Sequence, residues 1–361
     1  MPLVAHTSLP TFDRLKAEGL EVLAVGQVSH EGVRQLHVGL LNLMPDAAFK
    51  ATERQFMRLV GNSKQNIHIY VHPFTVLDSH RDFEIRAYID QYYQQFKDIK
   101  SAGLDALIIT GTNPVNPKLE QEPFWQPLRE IVDWATNHVT SVLCSCLAVH
   151  AIVKHLHDIE RQPLKEKRWG VYRHHITHSE HPLLHEIDTN FDVPHSRSNG
   201  VSLEQLQGAG FKILAQDETN DVHMAVSPDL FRIIYLQGHP EYDHISLLKE
   251  YKREVNRFIN GVRSTYPPSP ENYFSPEVDG LIKHYQAALM RALETDEPTP
   301  VFPEADIEPL LSNTWRDTGV SIFNNWLGLV SKLTHRDRHL PFSSEIDPDD
   351  PLKMKVFFQD Q

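Results

Sequence analysis

Residues 141–157 read SVLCSCLAVHAIVKHLH. The first five form an apolar run of strand length with no polar face, which predicts a strand buried on both sides. From Leu147 to His157 few positions are polar, which predicts a helix that is largely buried. Cys146 stands at the junction between the two. A strand, a tight turn and a buried helix form the repeating unit of an open α/β sheet, and sites in such sheets gather at the carboxyl ends of the strands.

The same unit recurs outward from this stretch. ALIITG (106–111) is a short apolar run closed by Gly111, followed by a loop rich in Pro and Asn and a helix near 122–137. LHVGLLNLM (36–44) reads as a strand ending at Pro45, and the helical stretch after it places Phe56, Leu59 and Val60 on one stripe. NIHIYVH (66–72) alternates with period two, Ile67, Ile69 and Val71 on one face. Residues 82–97 repeat apolar side chains at helical spacing. Further strands are expected at 212–214, 222–226 and 231–237, and a helix over 244–260 with Gly261 as its stop. Alternating strands and helices predict an α/β fold with a doubly wound, mostly parallel sheet covered on both faces.

The flanks read differently. Residues 1–34 are expected to be a polar N-terminal arm with one short helix, and 158–200, rich in His and Pro, shows no long periodic element. Beyond the linker TYPPSPENYFSPEVDG (265–280) the pattern is amphipathic over 278–294, broken by TDEPTPVFPEADIEP (295–309), and apolar over 317–332 around Phe323 and Trp326. The end, from Ser343, reads as a loose tail. The chain is therefore divided into an arm (1–34), an α/β domain (35–265) and a helical C-terminal extension (266–361).

Composition narrows the function classes. In 361 residues, 40% are apolar and 23% charged, which excludes a mostly disordered chain. The net charge of −13 argues against general nucleic-acid binding, which needs basic surface to neutralise phosphates. Two cysteines are too few for a disulfide framework or a thiolate zinc site and fit a reducing compartment. The opening residues show no basic run leading into an apolar stretch, and no apolar run reaches membrane length, so a cytoplasmic protein is expected.

Two stretches carry chemistry. A thiol on the turn before a helix has free N–H groups and the positive end of the helix dipole beside it, which favour a thiolate and hold a developing oxyanion. Cys146 is placed for that; alternatively, both cysteines are small buried hydrophobes. The second stretch is GHPEYD (238–243), directly after the strand FRIIYLQ. A thiol nucleophile needs a base, and the base needs a carboxylate to orient its ring; His239 and Glu241 supply both. A plain turn with an exposed histidine is the other reading, in a chain with 22 histidines.

In order along the chain, LNLMP (41–45), ATERQFMRL (51–59), LIITG (107–111), REIVDWA (129–135), NHVTSVLCSC (137–146), KRWGVY (167–172), DVPHSR (192–197), GHPEYD, NYF (272–274), Trp315–Arg316 and NNW (324–326) resemble the homoserine O-succinyltransferase family. The resemblance runs from about residue 8 to 335 and implies a catalytic domain of the class I glutamine amidotransferase type, which is flavodoxin-like. It implies Cys146 as the nucleophile that becomes an acyl-thioester, His239 as proton acceptor and Glu241 as its partner. It also implies substrate contacts at Lys167, Ser196 and Arg253, and an oxyanion hole from the backbone of Leu147 and Gly111. An arginine suits the carboxylate of homoserine. The implied co-substrate is succinyl-CoA, or acetyl-CoA, with no bound cofactor, and the implied assembly is a homodimer without nucleic-acid or membrane partners. Acyl-donor choice is implied at Val115, in TNPVNP (112–117); Val lacks the charge that would repel a succinyl carboxylate, which favours succinyl.

The chain departs from the family at several points. Ala148 and His150 stand where Gly and Gln are common after the nucleophile, DAAFK (46–50) with Lys50 replaces a lysine-rich run, and an insertion between NYF and Trp315 contains the 278–294 helix, read as a packing or oligomer element. His174, His175, His178 and His181 cluster in sequence, but no helix offers two histidines and a carboxylate at ligand spacing, so no metal is expected. Cys144 reads as buried and inert. Other activities remain: serine as acceptor, acetyl-CoA as donor, a glutamine amidotransferase-like hydrolase with the same Cys–His–Glu set, or a catalytically silent homologue that binds a partner.

Overall fold

A computed structural model of the chain describes residues 2–28, 32–62, 66–76 and 81–358. The described strands are β1 (Leu3–Ala5), β2 (Val22–Ala24), β3 (Arg34–Leu41), β4 (Ile67–Phe74), β5 (Ala106–Ile109), β6 (Ser141–Ser145), β7 (Gln162–Ile176), β8 (Asn190–Gly200), β9 (Lys212–Gln216), β10 (Val222–Val226) and β11 (Ile233–Leu236). They form one sheet in the order β2-β1-β4-β3-β5-β6-β11-β10-β9-β7-β8. From β2 to β11 neighbours are parallel; from β11 to β8 they are antiparallel. The helices are α1 (Pro10–Ala17), α2 (Asp46–Gly61), α3 (Phe83–Tyr92), α4 (Phe96–Ala102), α5 (Trp125–His138), α6 (Leu147–His157), α7 (Leu203–Gly208), α8 (Ser246–Ile259), α9 (Pro276–Thr295), α10 (Glu304–Ile307), α11 (Arg316–Leu333) and α12 (Lys355–Phe358).

The period-two geometry of each parallel strand sends alternate side chains to opposite faces. Leu143, Ile108 and Ile234 join one core with residues of α1, α2, α3 and α11. Val142, Cys144, Ile109 and Tyr235 join a second core with residues of α4, α5 and α6. The sheet is thus covered on both faces. A third core packs α8 against α9 and strand β7 through Trp169, Tyr251, Val255, Ile282, Leu289 and Trp315.

The flanks differ from the expectation. The N-terminal stretch contains the expected helix but also two edge strands, and Leu3 and Val4 are fully buried. Three-residue strands are too short to show periodicity, and residues 29–31 of this stretch lie outside the described ones. The stretch 158–200 holds the two longest described strands, β7 and β8, paired as an antiparallel ribbon with an irregularity between Pro163 and Arg168. The first half of β7 is mostly exposed polar residues, so it carries no apolar alternation. Residues around Glu271 dock on the ribbon at Gly170, where a Cβ would stand 2.2 Å from the Glu271 carbonyl oxygen.

The C-terminal extension closes the molecule's core. The α11 ring of Phe323 lies 6.2 Å from Phe56 of α2, and the fully buried Trp326 donates from Nε1 to Ser141 Oγ at 2.9 Å. The residues after α11 are also held: Ser343 N bonds to Leu333 O at 3.0 Å, Thr140 donates to Pro341 O, and Phe342 is buried beneath the Arg232 guanidinium. The expected loose tail therefore starts anchored; its residues 359–361 lie outside the described ones.

Candidate active site

Register places the site before any side chain is considered. Ile109 of β5 pairs with Cys144 of β6, and Ser145 of β6 pairs with Leu236 of β11. The three strands are parallel, so Gly111, Cys146 and His239 all leave the same edge of the sheet side by side. Cys146 is tied in further by its own N–H, which bonds to Leu236 O at 2.7 Å.

Cys146 has φ 52 and ψ −115, a conformation that L residues rarely adopt, and caps α6. Such strain at a strand-to-helix turn turns the side chain away from the core and toward the helix N-terminus. The thiol is partly exposed, whereas Cys144 is fully buried, with its pKa pushed well up by burial. Leu147 opens the helix, so its N–H has no acceptor within it. A Cβ on Gly111 would lie 3.3 Å from Cys146 Cβ and 3.5 Å from Leu147 N. The chain thus comes close to Cys146, at a point where an added side chain would crowd it.

His239 is buried, and its Nδ1 lies 2.8 Å from Glu241 Oε1. Ser145 Oγ is 3.5 Å from the same oxygen. Burial alone would lower the His239 pKa; the Cys146 sulfur and the Glu241 carboxylate outweigh it and hold the imidazolium well above the usual histidine range. The loop is braced from three sides. His239 N donates to Pro194 O at 2.8 Å, Trp315 Nε1 donates to Tyr242 O at 2.8 Å, and Asp243 accepts from both Arg54 and Arg58 of α2.

Lys167 and Ser196 come together on a residue that the sequence did not single out. Ser196 Oγ donates to Glu250 Oε2 at 2.6 Å, and Lys167 Nζ lies 3.6 Å from the same oxygen, over the ring of Trp169. Burial lowers the Lys167 pKa, with Arg253 adding to that effect and Glu250 opposing it. Arg253 follows Glu250 by three residues on α8, is half exposed and lies 3.4 Å from Glu254. Tyr242 was also missed. Its hydroxyl donates to Glu250 Oε1 at 2.7 Å and its ring stacks on His239. A glutamate on an amphipathic helix looks like any solvated charge, so only the fold reveals Glu250.

Other expected positions fall elsewhere. Val115 is 88% exposed, on a loop whose Val115 and Asn116 N–H groups both donate to the buried Glu122. Lys50 pairs with Glu84 at 2.6 Å and lies over the Tyr88 ring. His150 is buried, with Nε2 3.2 Å from Gln237 Oε1, and burial lowers its pKa to about 3. Ala148 is buried in the second core.

The four histidines near 174–181 take separate surroundings: His174 stacks on His195, His175 pairs in the sheet with Asn190 and Gln216, His178 lies against Glu180, and His181 Nε2 lies 3.0 Å from Leu230 O. Among the described residues His174, His195 and Asp221 bring ligand atoms within 4.8 Å of one another. Asp221, however, already takes Arg197 and Arg168 guanidinium groups. A dication there would face both arginines, so this donor set does not fit a metal.

The family model described as homoserine O-succinyltransferase matches residues 2–336. A homoserine O-succinyltransferase of Thiothrix nivea is 52% identical over 355 residues, covering 98% of this chain and 99% of that one. Those of Nitrosococcus oceani and Methylococcus capsulatus are each 51% identical, with the same coverage of both chains. Among solved structures, a glutamine amidotransferase of Thermotoga maritima is 12% identical with a TM-score of 0.43, covering 84% of this chain and 100% of that one. No described helix is long and apolar enough to cross a membrane.

Proposed function

The chain belongs to the homoserine O-succinyltransferase family, and from that premise we propose that it moves a succinyl group from succinyl-CoA to the homoserine hydroxyl through Cys146. The observation that carries this reading is the meeting of Gly111, Cys146 and the His239–Glu241 pair at the ends of three adjacent strands.

In the first half-reaction the Cys146 thiolate attacks the thioester carbonyl. The N–H groups of Leu147 and Gly111 hold the oxyanion. The bond to the CoA sulfur breaks, and the leaving sulfur takes the proton of the His239 imidazolium. In the second half, neutral His239 removes the proton of the homoserine hydroxyl, the oxygen attacks the acyl-enzyme carbonyl, and Cys146 leaves as thiolate. Glu241 holds His239 Nδ1–H throughout, so the ring presents Nε2 in both steps. Covalent transfer of this kind gives ping-pong kinetics.

The acceptor carries an ammonium and a carboxylate. Glu250, with Ser196 and Tyr242 on its oxygens, suits the ammonium; Lys167 and Arg253 suit the carboxylate. The relatives named above, each a homoserine O-succinyltransferase, support succinyl over acetyl as the donor. A product activated at its hydroxyl suits methionine biosynthesis. The family resemblance further supports a cytoplasmic homodimer that takes succinyl-CoA as co-substrate and binds no cofactor.

The test is thiol release from succinyl-CoA and from acetyl-CoA, each with homoserine, with serine or alone, with Cys146→Ala as control. Homoserine-dependent release that is faster with succinyl-CoA and absent in the variant is the expected result. Release with serine alone would move the acceptor assignment. No release from any pair, with ammonia formed from glutamine, would replace the transferase reading by the hydrolase one.

A further inference from the structure

Tyr242 touches the base with its ring and the acceptor end of the site with its hydroxyl. The ring lies against the His239 imidazole with centroids 4.2 Å apart and planes 18° from parallel. The hydroxyl donates to Glu250 Oε1 at 2.7 Å. The opposite oxygen of that carboxylate takes the Ser196 hydroxyl at 2.6 Å and faces Lys167 Nζ at 3.6 Å. One carboxylate is therefore shared between the side chain that fixes the plane of the base and the side chains proposed to meet the acceptor.

The need for such a contact follows from the two tasks of His239. Its bond to Glu241 fixes Nδ1 but leaves the ring free to tilt about that bond. In the first half-reaction Nε2 must face the thiolate and the leaving sulfur. In the second it must face an incoming hydroxyl, which occupies a different place. A stacked ring restrains the tilt, and Tyr242 is itself restrained at its backbone, where its carbonyl accepts from Trp315 and its N–H donates to His239 O at 3.2 Å. Its ring orientation is then set by whatever holds its hydroxyl, and that is Glu250.

We propose that Tyr242 is a positioning residue that couples acceptor binding to the base: an amino-acid ammonium seated on Glu250 sets Tyr242, and Tyr242 sets the His239 ring for deprotonating the acceptor hydroxyl. The proposal rests on the reading of Cys146, His239 and Glu241 as the transfer machinery. It assigns Tyr242 to the second half-reaction more than to the first, because only the second has an acceptor on Glu250.

The experiment separates the half-reactions. The burst of thiol released from succinyl-CoA without homoserine reports acylation of Cys146. Decay of the isolated acyl-enzyme on adding homoserine, followed by intact mass, reports deacylation. Tyr242→Phe keeps the ring and removes the hydroxyl; it should slow deacylation about tenfold and the burst by no more than about threefold. Tyr242→Leu removes the ring and should slow both steps about tenfold or more. Far-ultraviolet circular dichroism and a melt of each variant confirm that it is folded. Equal slowing of both steps by Tyr242→Phe, or no slowing of deacylation, overturns the coupling while leaving the covalent route intact. Absence of a burst in the unmodified enzyme overturns the covalent route itself, and the coupling with it.

Discussion

A methyl group on Gly111 would stand 3.3 Å from the Cβ of Cys146, closer than side chains ordinarily pack, and 3.5 Å from the nitrogen of Leu147. The loop after one strand and the turn after the next thus approach closely beside the proposed oxyanion donors, the N–H groups of Gly111 and Leu147. Gly111→Ala is expected to fold, with a stability loss of about 1 kcal/mol or less, because Gly111 is not at positive φ and the neighbour needs to give only slightly. Alanine keeps the N–H, but its methyl crowds Cys146 and Leu147 and displaces the proposed donors, so kcat/KM should fall about tenfold to a hundredfold. Steady-state kinetics beside a urea melt check both halves.

The two cysteines should separate cleanly under alkylation. Cys144 is fully buried with its thiol pKa pushed up by burial, and Cys146 is partly exposed at a helix N-terminus. Native protein treated with iodoacetamide should take one label per chain, denatured protein two, and native Cys146→Ala none. Mass spectrometry of the labelled peptides reads the result. Labelling of Cys144 in the native protein at the rate of Cys146 would contradict the described burial.

Glu241→Gln should lower kcat about 10²–10⁴-fold with a smaller change in KM, since Glu241 acts on the orientation and charge of His239, the proposed base. Removing the carboxylate removes one of the two charges that hold His239 above the histidine range against burial. The raised value contributes stability below the unfolded pKa of about 6.5, and that contribution is lost as pH rises through the folded pKa. In the Gln variant this loss should come at lower pH. Titration of the His239 ring by NMR, or of Cys146 alkylation, shows the shift.

Asp243 accepts from Arg54 and Arg58, and these three side chains with Glu18 join α1, α2 and the His239 loop. Asp243→Asn leaves two largely buried guanidinium groups short of a partner and should cost about 3–5 kcal/mol. Burial raises the Asp243 pKa, but Arg58 and Arg54 outweigh it and the net direction is down. Its stabilisation is therefore present above the unfolded value of about 3.9 and lost as pH falls through the lower folded value. The Asn variant should show a shallower loss of stability below about pH 4, measured by urea melts across that range.

The strands and helices that build the site were the ones most legible from residues alone. The run SVLCS and the helix beginning at Leu147 have the expected bounds, since a doubly buried strand and a buried helix must be apolar along their whole length. The strand Val222–Val226 was legible for the same reason, and the helix Pro276–Thr295 because its buried residues recur at helical spacing. β7 was not, because half of it faces solvent and its stability comes from pairing with β8. The helical run over 82–97 broke in two at Tyr93, whose buried hydroxyl donates to Glu53, a tertiary contact that periodicity cannot show. The contacts of Glu250 and Tyr242 were hidden similarly: each residue is ordinary in its own segment and becomes distinctive only beside the other and His239.

Trp326 meets Ser141 across 185 residues of chain, and Gly319 of the same helix lies so near the His239 loop that a Cβ there would come within 2.9 Å of the Pro240 carbonyl. During synthesis, then, the part of the sheet face bearing Leu143, Met224 and Ile234 that α11 covers stays open until that helix has left the ribosome, although α1, α2 and α3 are made early. A nascent or prematurely ended chain that stops short of this helix presents a wide apolar surface, the kind of species that aggregates or needs a chaperone. α11 follows every described strand in the chain and supports both the core and the His239 loop, so a chain that stops before it lacks both supports.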